Sequence, residues 1–174
     1  AMACSSVGFG GLTAFIALYF DSLGWTNTAY CLSSFGVAFI IARLVSPNLL
    51  PRFGGYRVVA VCMLIQSLGL LLIWRAHSPE MVMVGAGLTG IGVSWVYPGL
   101  GVETLASTPP ANRSAALSAL SLFFDLAVGL AGPLMGLIAS GFGYAEVFLV
   151  SGLLGIAGFL LVMHLHRTVH RFLA

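Results

Sequence analysis

The sequence contains no lysine, and only 7% of its residues are charged, seven arginines against five acids. Soluble domains carry about a quarter charged residues. A chain with so few polar side chains cannot cover a globule in water, so a soluble domain is excluded. The small net charge of +2 gives no basic footprint for nucleic acid, and none is expected as a partner. Cysteine is scarce and unpatterned. Cys4, Cys31 and Cys62 sit in apolar segments without CxxC or Cys/His spacing and read as small core residues. Basic residues are also missing from the start, the first being Arg43. This excludes the charged n-region of a signal peptide and suggests a segment cut from a longer polypeptide.

What the chain does have is apolar length. Hydrophobic residues make up 59% of it, and the mean hydropathy is +1.04. It reads as an integral, all-α membrane protein whose main partner is the lipid bilayer. Six apolar segments predict transmembrane helices at about 5–20, 27–45, 58–74, 81–102, 114–140 and 145–163, forming one bundle over residues 1–174. Arg43, Arg52, Arg57, Arg113, Arg167 and Arg171 fall in alternate connections and the C-terminal tail, and only Arg75 on the opposite side. By the positive-inside rule both termini are cytoplasmic. Trp25, Tyr30, Trp74 and Tyr144 then mark the outer interface.

The most informative segment is 114–140. Its small and polar residues, Ser114, Ser118, Ser121, Asp125, Gly129, Gly132 and Gly136, recur at steps of three and four and share one helix face. A carboxylic acid at mid-bilayer costs at least ~2.5 kcal/mol, so Asp125 is expected to face protein or water rather than lipid. Two readings of it stand. It can bind a proton whose release is coupled to substrate movement, with Ser121 and Ser118 beside it, or it can be a buried acid satisfied by Ser121 one turn back or by a neighbouring helix. Smaller lines such as Ser6, Gly10, Thr13 and Ala17, or Gly85, Thr89 and Gly92, read as packing seams. Pro98 and Pro133 each remove a backbone donor and are expected to bend their helices.

Several patterns point to chemistry and fail on context. Gly85-Ala86-Gly87-Leu88-Thr89-Gly90 fits G-x-G-x-x-G but lies inside an apolar span with no preceding strand. His164, His166 and His170 have no Asp, Glu or Cys near them in the sequence, and no metal or cofactor is expected. Gly92-Val93-Ser94 resembles the GxSG motif of rhomboid serine proteases, but Trp95 stands at the last position. Ser94 also lies ~12 Å inside its span while His164 sits at the edge of another.

The connection 43–57 is a short basic link shaped by Gly and Pro. It resembles the major facilitator superfamily signature G-x-L-x-D-R-x-G-x-R, with Leu49, Arg52 and Gly54 on matching positions, Arg57 one residue past the final Arg position and Arg43 just before the stretch. Pro47 replaces the first Gly and Pro51 the Asp. Gly132-Pro133-Leu134-Met135-Gly136 resembles the end of the G-P-x-x-G-G antiporter motif, with Leu137 replacing the final Gly. The resemblance covers the whole chain and implies helices seven to twelve of a twelve-helix transporter, half of a fold with a 3+3 inverted repeat. Among branches it looks most like bacterial sugar-efflux and drug–proton antiporters, which implies the cytoplasmic (inner) membrane. It also implies an N-terminal six-helix half as partner, a small organic solute and H+ as cargo, and alternating access around a midplane site. In that fold the first, second, fourth and fifth spans here line the cavity, and the third and sixth face lipid. Thr13, Ser33, Ser34, Thr89, Ser94, Trp95, Tyr97 and Phe124 are the expected lining residues. A non-transporting or self-dimerising six-helix protein is the alternative.

Overall fold

In lipid every backbone polar group must be satisfied within its own segment, so long apolar runs become helices. The computed structural model describes residues 1–173, with side chains through His166. Its helices are α1 (Met2–Ser22), α2 (Thr28–Val45), α3 (Leu49–Phe53), α4 (Gly55–Trp74), α5 (Pro79–Ser94), α6 (Val96–Ala106), α7 (Arg113–Phe142) and α8 (Tyr144–Leu173). Six stretches are long and apolar enough to cross a membrane, with α5 and α6 together making the fourth. Arg167, His170 and Arg171 lie outside the described side chains.

Local chemistry sets the breaks. Ser78 caps α5 by accepting the Met81 N–H at 3.4 Å, with Pro79 at the first helical position. Gly54 separates α3 from α4 at φ +80°, a backbone conformation that glycine tolerates and side chains resist. The fourth crossing is interrupted at Trp95, between α5 and α6. Pro98 is one cause, because it has no N–H to give the Ser94 carbonyl four residues back. α7, in contrast, runs through Pro133 without a break.

Small residues allow the helices to approach closely. A methyl added at Gly69 would sit 2.5 Å from the Gly85 carbonyl oxygen, and one at Gly92 would sit 2.5 Å from the Gln66 backbone nitrogen, so α4 and α5 touch backbone to backbone. Gly155 of α8 lies against Ser67 of α4, and Gly10 of α1 against Ala131 of α7. Two apolar clusters fill the interior. One holds Phe20, Ile73, Val82 and Phe148, the other Val59, Met63, Val96 and Val162. Between them Ser5 donates to Gln66 Oε1 at 2.7 Å, and Gln66 Nε2 donates to the Ser5 carbonyl at 2.8 Å. This reciprocal pair pins α1 to α4 at fully buried positions.

The packing pattern maps onto itself. α1 packs on α7 and α8, α5 packs on α2 and α4, and α4 packs on α8. Exchanging α1 with α5, α2 with α7 and α4 with α8 reproduces the same set, as a 3+3 repeat requires. α2 and α7 are therefore the outlying pair, each resting chiefly on one neighbour. α2 buries only Cys31, and α7 only Ala127, Ala131 and Met135. The seam that docks α7 is this Ala127–Ala131–Met135 stripe. The Ser114-to-Gly136 line lies on a different face, and methyls added at Gly129 or Gly132 would meet nothing within 4 Å.

Candidate functional site

A cavity of ≈720 Å³ lies among α1, α2, the α5–α6 break and α7, and none of the described side chains of α4 or α8 contributes to it. Asp125, Ser121 and Phe124 enter it from α7, Tyr97 from α6, Ser94 from α5 and Arg43 from α2. Asp125 stands twelve residues into α7, ~18 Å along a helix that crosses a ~30 Å hydrocarbon layer. Its carboxylate is exposed and has no hydrogen bond or ion pair among the described residues. The satisfied-acid geometry does not form: Ser121 is one turn back, but its hydroxyl donates to Leu117 O at 3.2 Å and pairs with the Tyr97 hydroxyl at 2.7 Å.

Arg43 belongs to the last turn of α2 rather than to the loop. Its Nε donates to the Ser94 carbonyl at 3.3 Å, and its guanidinium lies 5.3 Å from the centre of the Phe39 ring. That carbonyl is the one Pro98 leaves without a helical donor. The proline thus interrupts the fourth crossing and supplies the acceptor that holds a cation on the cavity wall. Trp95 Nε1 donates to Ala42 O at 3.3 Å and fastens the same break to α2.

The remaining wall is aromatic. Phe39, Phe35, Phe9, Phe124 and Tyr97 follow one another with centroids 6.2, 5.7, 6.4 and 6.2 Å apart, an arc crossing from α2 through α1 and α7 to α6. A carboxylate, a guanidinium and a phenol–hydroxyl pair on an apolar wall match the usual composition of small-molecule sites.

Other expected residues lie elsewhere. Ser118, Thr13 and Ser33 are exposed and do not line this cavity; the Thr13 hydroxyl bonds Phe9 O and Gly10 O of its own helix. Ser34 donates to Met83 O at 2.9 Å and fixes α2 to α5, while Thr89 is buried and donates to Gly85 O. Trp95 faces a separate groove. Leu49 packs against the core beside α4, Arg52 stacks on Phe53, and Arg57 is exposed. A methyl added at Gly136 would meet the Phe15 ring at 3.8 Å. The Ser94 hydroxyl donates to Ile91 O in its own helix. Phe9, Phe35 and Phe39 carry no signal in the sequence, because an aromatic on an apolar span has no partner until the helices are assembled.

A family model for the Major Facilitator Superfamily matches residues 1–172. The chain belongs to the Major Facilitator Superfamily. An uncharacterised MFS-type transporter of Pseudomonas aeruginosa is 46% identical over 170 residues, covering 98% of this chain and 42% of that protein. One from Burkholderia mallei is 46% identical over 157 residues, covering 90% of this chain and 39% of its own length. The chain thus spans less than half the length of these relatives. The crystal structure of the peptide transporter POT in complex with alafosfalin superposes with a TM-score of 0.82 at 16% identity, over 95% of this chain and 36% of that one, a likeness of fold. The superfamily is one of membrane transporters and not of enzymes, so the protease reading of Ser94 falls. The narrower resemblance to sugar-efflux and drug–proton antiporters has no counterpart in these matches.

Proposed function

We propose that this chain is the C-terminal half of a secondary transporter that moves a small organic solute by alternating access, in the efflux direction and coupled to protons through Asp125. The observation that carries this reading is the mid-span carboxylate, unpaired and exposed on a cavity that it shares with Arg43, Tyr97 and Ser121. A membrane acid is costly and by default functional. Its protonation follows the solvation of the cavity, which changes with the side that is open. The uncovered faces of α2 and α7 suit an N-terminal six-helix half. Under this reading the site is the bacterial cytoplasmic membrane, with the arginine-rich loops and both termini on the cytoplasmic side. The narrower kinship with sugar-efflux and drug–proton antiporters belongs to the same proposal.

The test is Asp125→Asn in the full-length protein, assayed for solute flux in vesicles with and without a proton gradient. Proton-coupled flux should vanish while the protein remains folded in the membrane. Flux that keeps its pH dependence after this change removes the coupling role. The uncovered faces of α2 and α7 also suit a second copy of the chain, and six further crossings encoded upstream decide against that arrangement.

A further inference from the structure

A second concavity, a groove of ≈790 Å³, lies over α5 between α2, α3 and α4. α2 is a wall of both spaces but turns different faces to them. Ala38, Ile41, Ala42 and Val45 line the groove, whereas Phe35, Phe39 and Arg43 line the Asp125 cavity. At 3.6 residues per turn these are two separate stripes. The groove therefore opens on a different face of α2, about 110° around the helix from the stripe that lines the Asp125 cavity. Its floor is Ile91 of α5 and Trp95 at the α5–α6 break, and its far wall is Val58, Val61, Cys62 and Ile65 of α4.

The two walls run along about seven residues of each helix, ~10 Å, or about two-thirds of one leaflet's hydrocarbon depth. They are apolar throughout that length. The end beside the 43–57 connection is different. Arg57 stands there, exposed, with no hydrogen bond, ion pair or ring contact among the described residues. Arg52, by comparison, is stacked on Phe53, and Arg43 is bound to Ser94. No acid lines the groove. The carboxylate of that region, Glu103, instead accepts the Tyr56 N–H at 3.2 Å. An apolar slot of partial-leaflet depth with an uncommitted guanidinium at its interfacial end has the polarity of a phospholipid, tail inward and phosphate outward.

We infer that the groove between α2 and α4 is a binding site for an anionic phospholipid of the leaflet on the basic-loop side, with one acyl chain over Ile91 and Trp95 and the headgroup phosphate on Arg57. An anionic headgroup is favoured over a zwitterionic one because the latter brings its own cation to a site that already holds one.

Trp95 reports on the groove directly. A protein retaining Trp95 as its single tryptophan is reconstituted in vesicles of equal phosphatidylglycerol and phosphatidylcholine. The acyl chains of either the first or the second lipid are brominated, so that surface charge is the same in both samples. Brominated phosphatidylglycerol should occupy the quenching site about fivefold more favourably, the size of one basic side chain's contribution near an anionic headgroup. Arg57→Gln should abolish that preference while leaving total quenching by the two lipids nearly unchanged, and Ala38→Phe should reduce quenching by both by filling the slot. Far-UV circular dichroism checks that each variant remains helical, and Arg57→Lys, which keeps the charge, should retain the preference. Equal quenching by the two lipids in the parent protein overturns the inference. So does a preference that survives Arg57→Gln, or a Trp95 that neither lipid quenches because protein covers the groove.

Discussion

The contact between Arg43 and the Ser94 carbonyl gives a prediction whose size can be worked out. A hydrogen bond from a charged donor contributes about 1.5–3 kcal/mol. Arg43 is exposed, which places this one at the low end, about 1.5 kcal/mol. Its stacking on Phe39 at 5.3 Å adds about 0.5–1 kcal/mol. Arg43→Met should therefore destabilise the bundle by about 2 kcal/mol. The acceptor is free only because Pro98 cannot donate to it. Pro98→Ala restores an N–H that can take the Ser94 carbonyl into the helix ladder, and it should stabilise the bundle. In that background Arg43→Met loses only the stacking share, about 0.5–1 kcal/mol, which leaves a coupling energy of about 1–1.5 kcal/mol. The assay is a double-mutant cycle read from SDS titration in mixed micelles, followed by far-UV circular dichroism. Independent sites add within about 0.5 kcal/mol. If Arg43→Met costs the same in both backgrounds within that margin, the proline does not create the acceptor and this account of the break is wrong.

Two further changes test the packing. Gln66→Leu removes both hydrogen bonds to Ser5 and should cost about 1–2 kcal/mol in the same titration, since pairs inside membranes average ~0.6 kcal/mol each; an unchanged midpoint would show that the pair is incidental to the α1–α4 contact. Gly92→Leu places a side chain 2.5 Å from the Gln66 nitrogen and 2.6 Å from the Cys62 carbonyl, both backbone atoms with little room to yield. It should cost about 3 kcal/mol or prevent folding, and wild-type stability would mean that α4 and α5 are not in backbone contact.

The positions of the six crossings are legible in the sequence because apolarity sustained over a bilayer's width is tolerated in lipid and hardly anywhere else. Helix ends are less legible: Gly54 and Gly143 take positive φ, and the short α3 between Asn48 and Gly54 leaves no periodic trace. Asp125 stands out because a carboxylate in an apolar run is conspicuous from sequence alone. The face of α7 that docks is harder to read. Both the Ser114-to-Gly136 line and the Ala127–Ala131–Met135 stripe consist mainly of small residues at helical spacing, and periodicity alone does not say which meets Gly10. Arg43 reads as part of the loop because charge places it at a membrane edge. Its tie to Ser94 depends on an acceptor fifty-one residues away that only Pro98 exposes. Such pairings are set by assembly, and a single sequence carries them only as isolated prolines and arginines.

The repeat explains why the cavity is where it is. α2 and α7 occupy equivalent places in the two three-helix units, and each is held mainly by the leading helix of the other unit. A helix held along one stripe leaves the rest of its surface free, so the two outlying helices are the natural walls of an open space. They bring opposite charges to it, Arg43 from α2 and Asp125 from α7. Yet the two are not bonded to each other. The guanidinium is drawn to a carbonyl on α5 and the carboxylate is left alone. Had they formed a direct ion pair, each would neutralise the other and the cavity would offer a solute little beyond apolar wall. The proline instead gives Arg43 a neutral acceptor, so the guanidinium keeps its charge on the cavity wall while the carboxylate stands without a partner among the described residues.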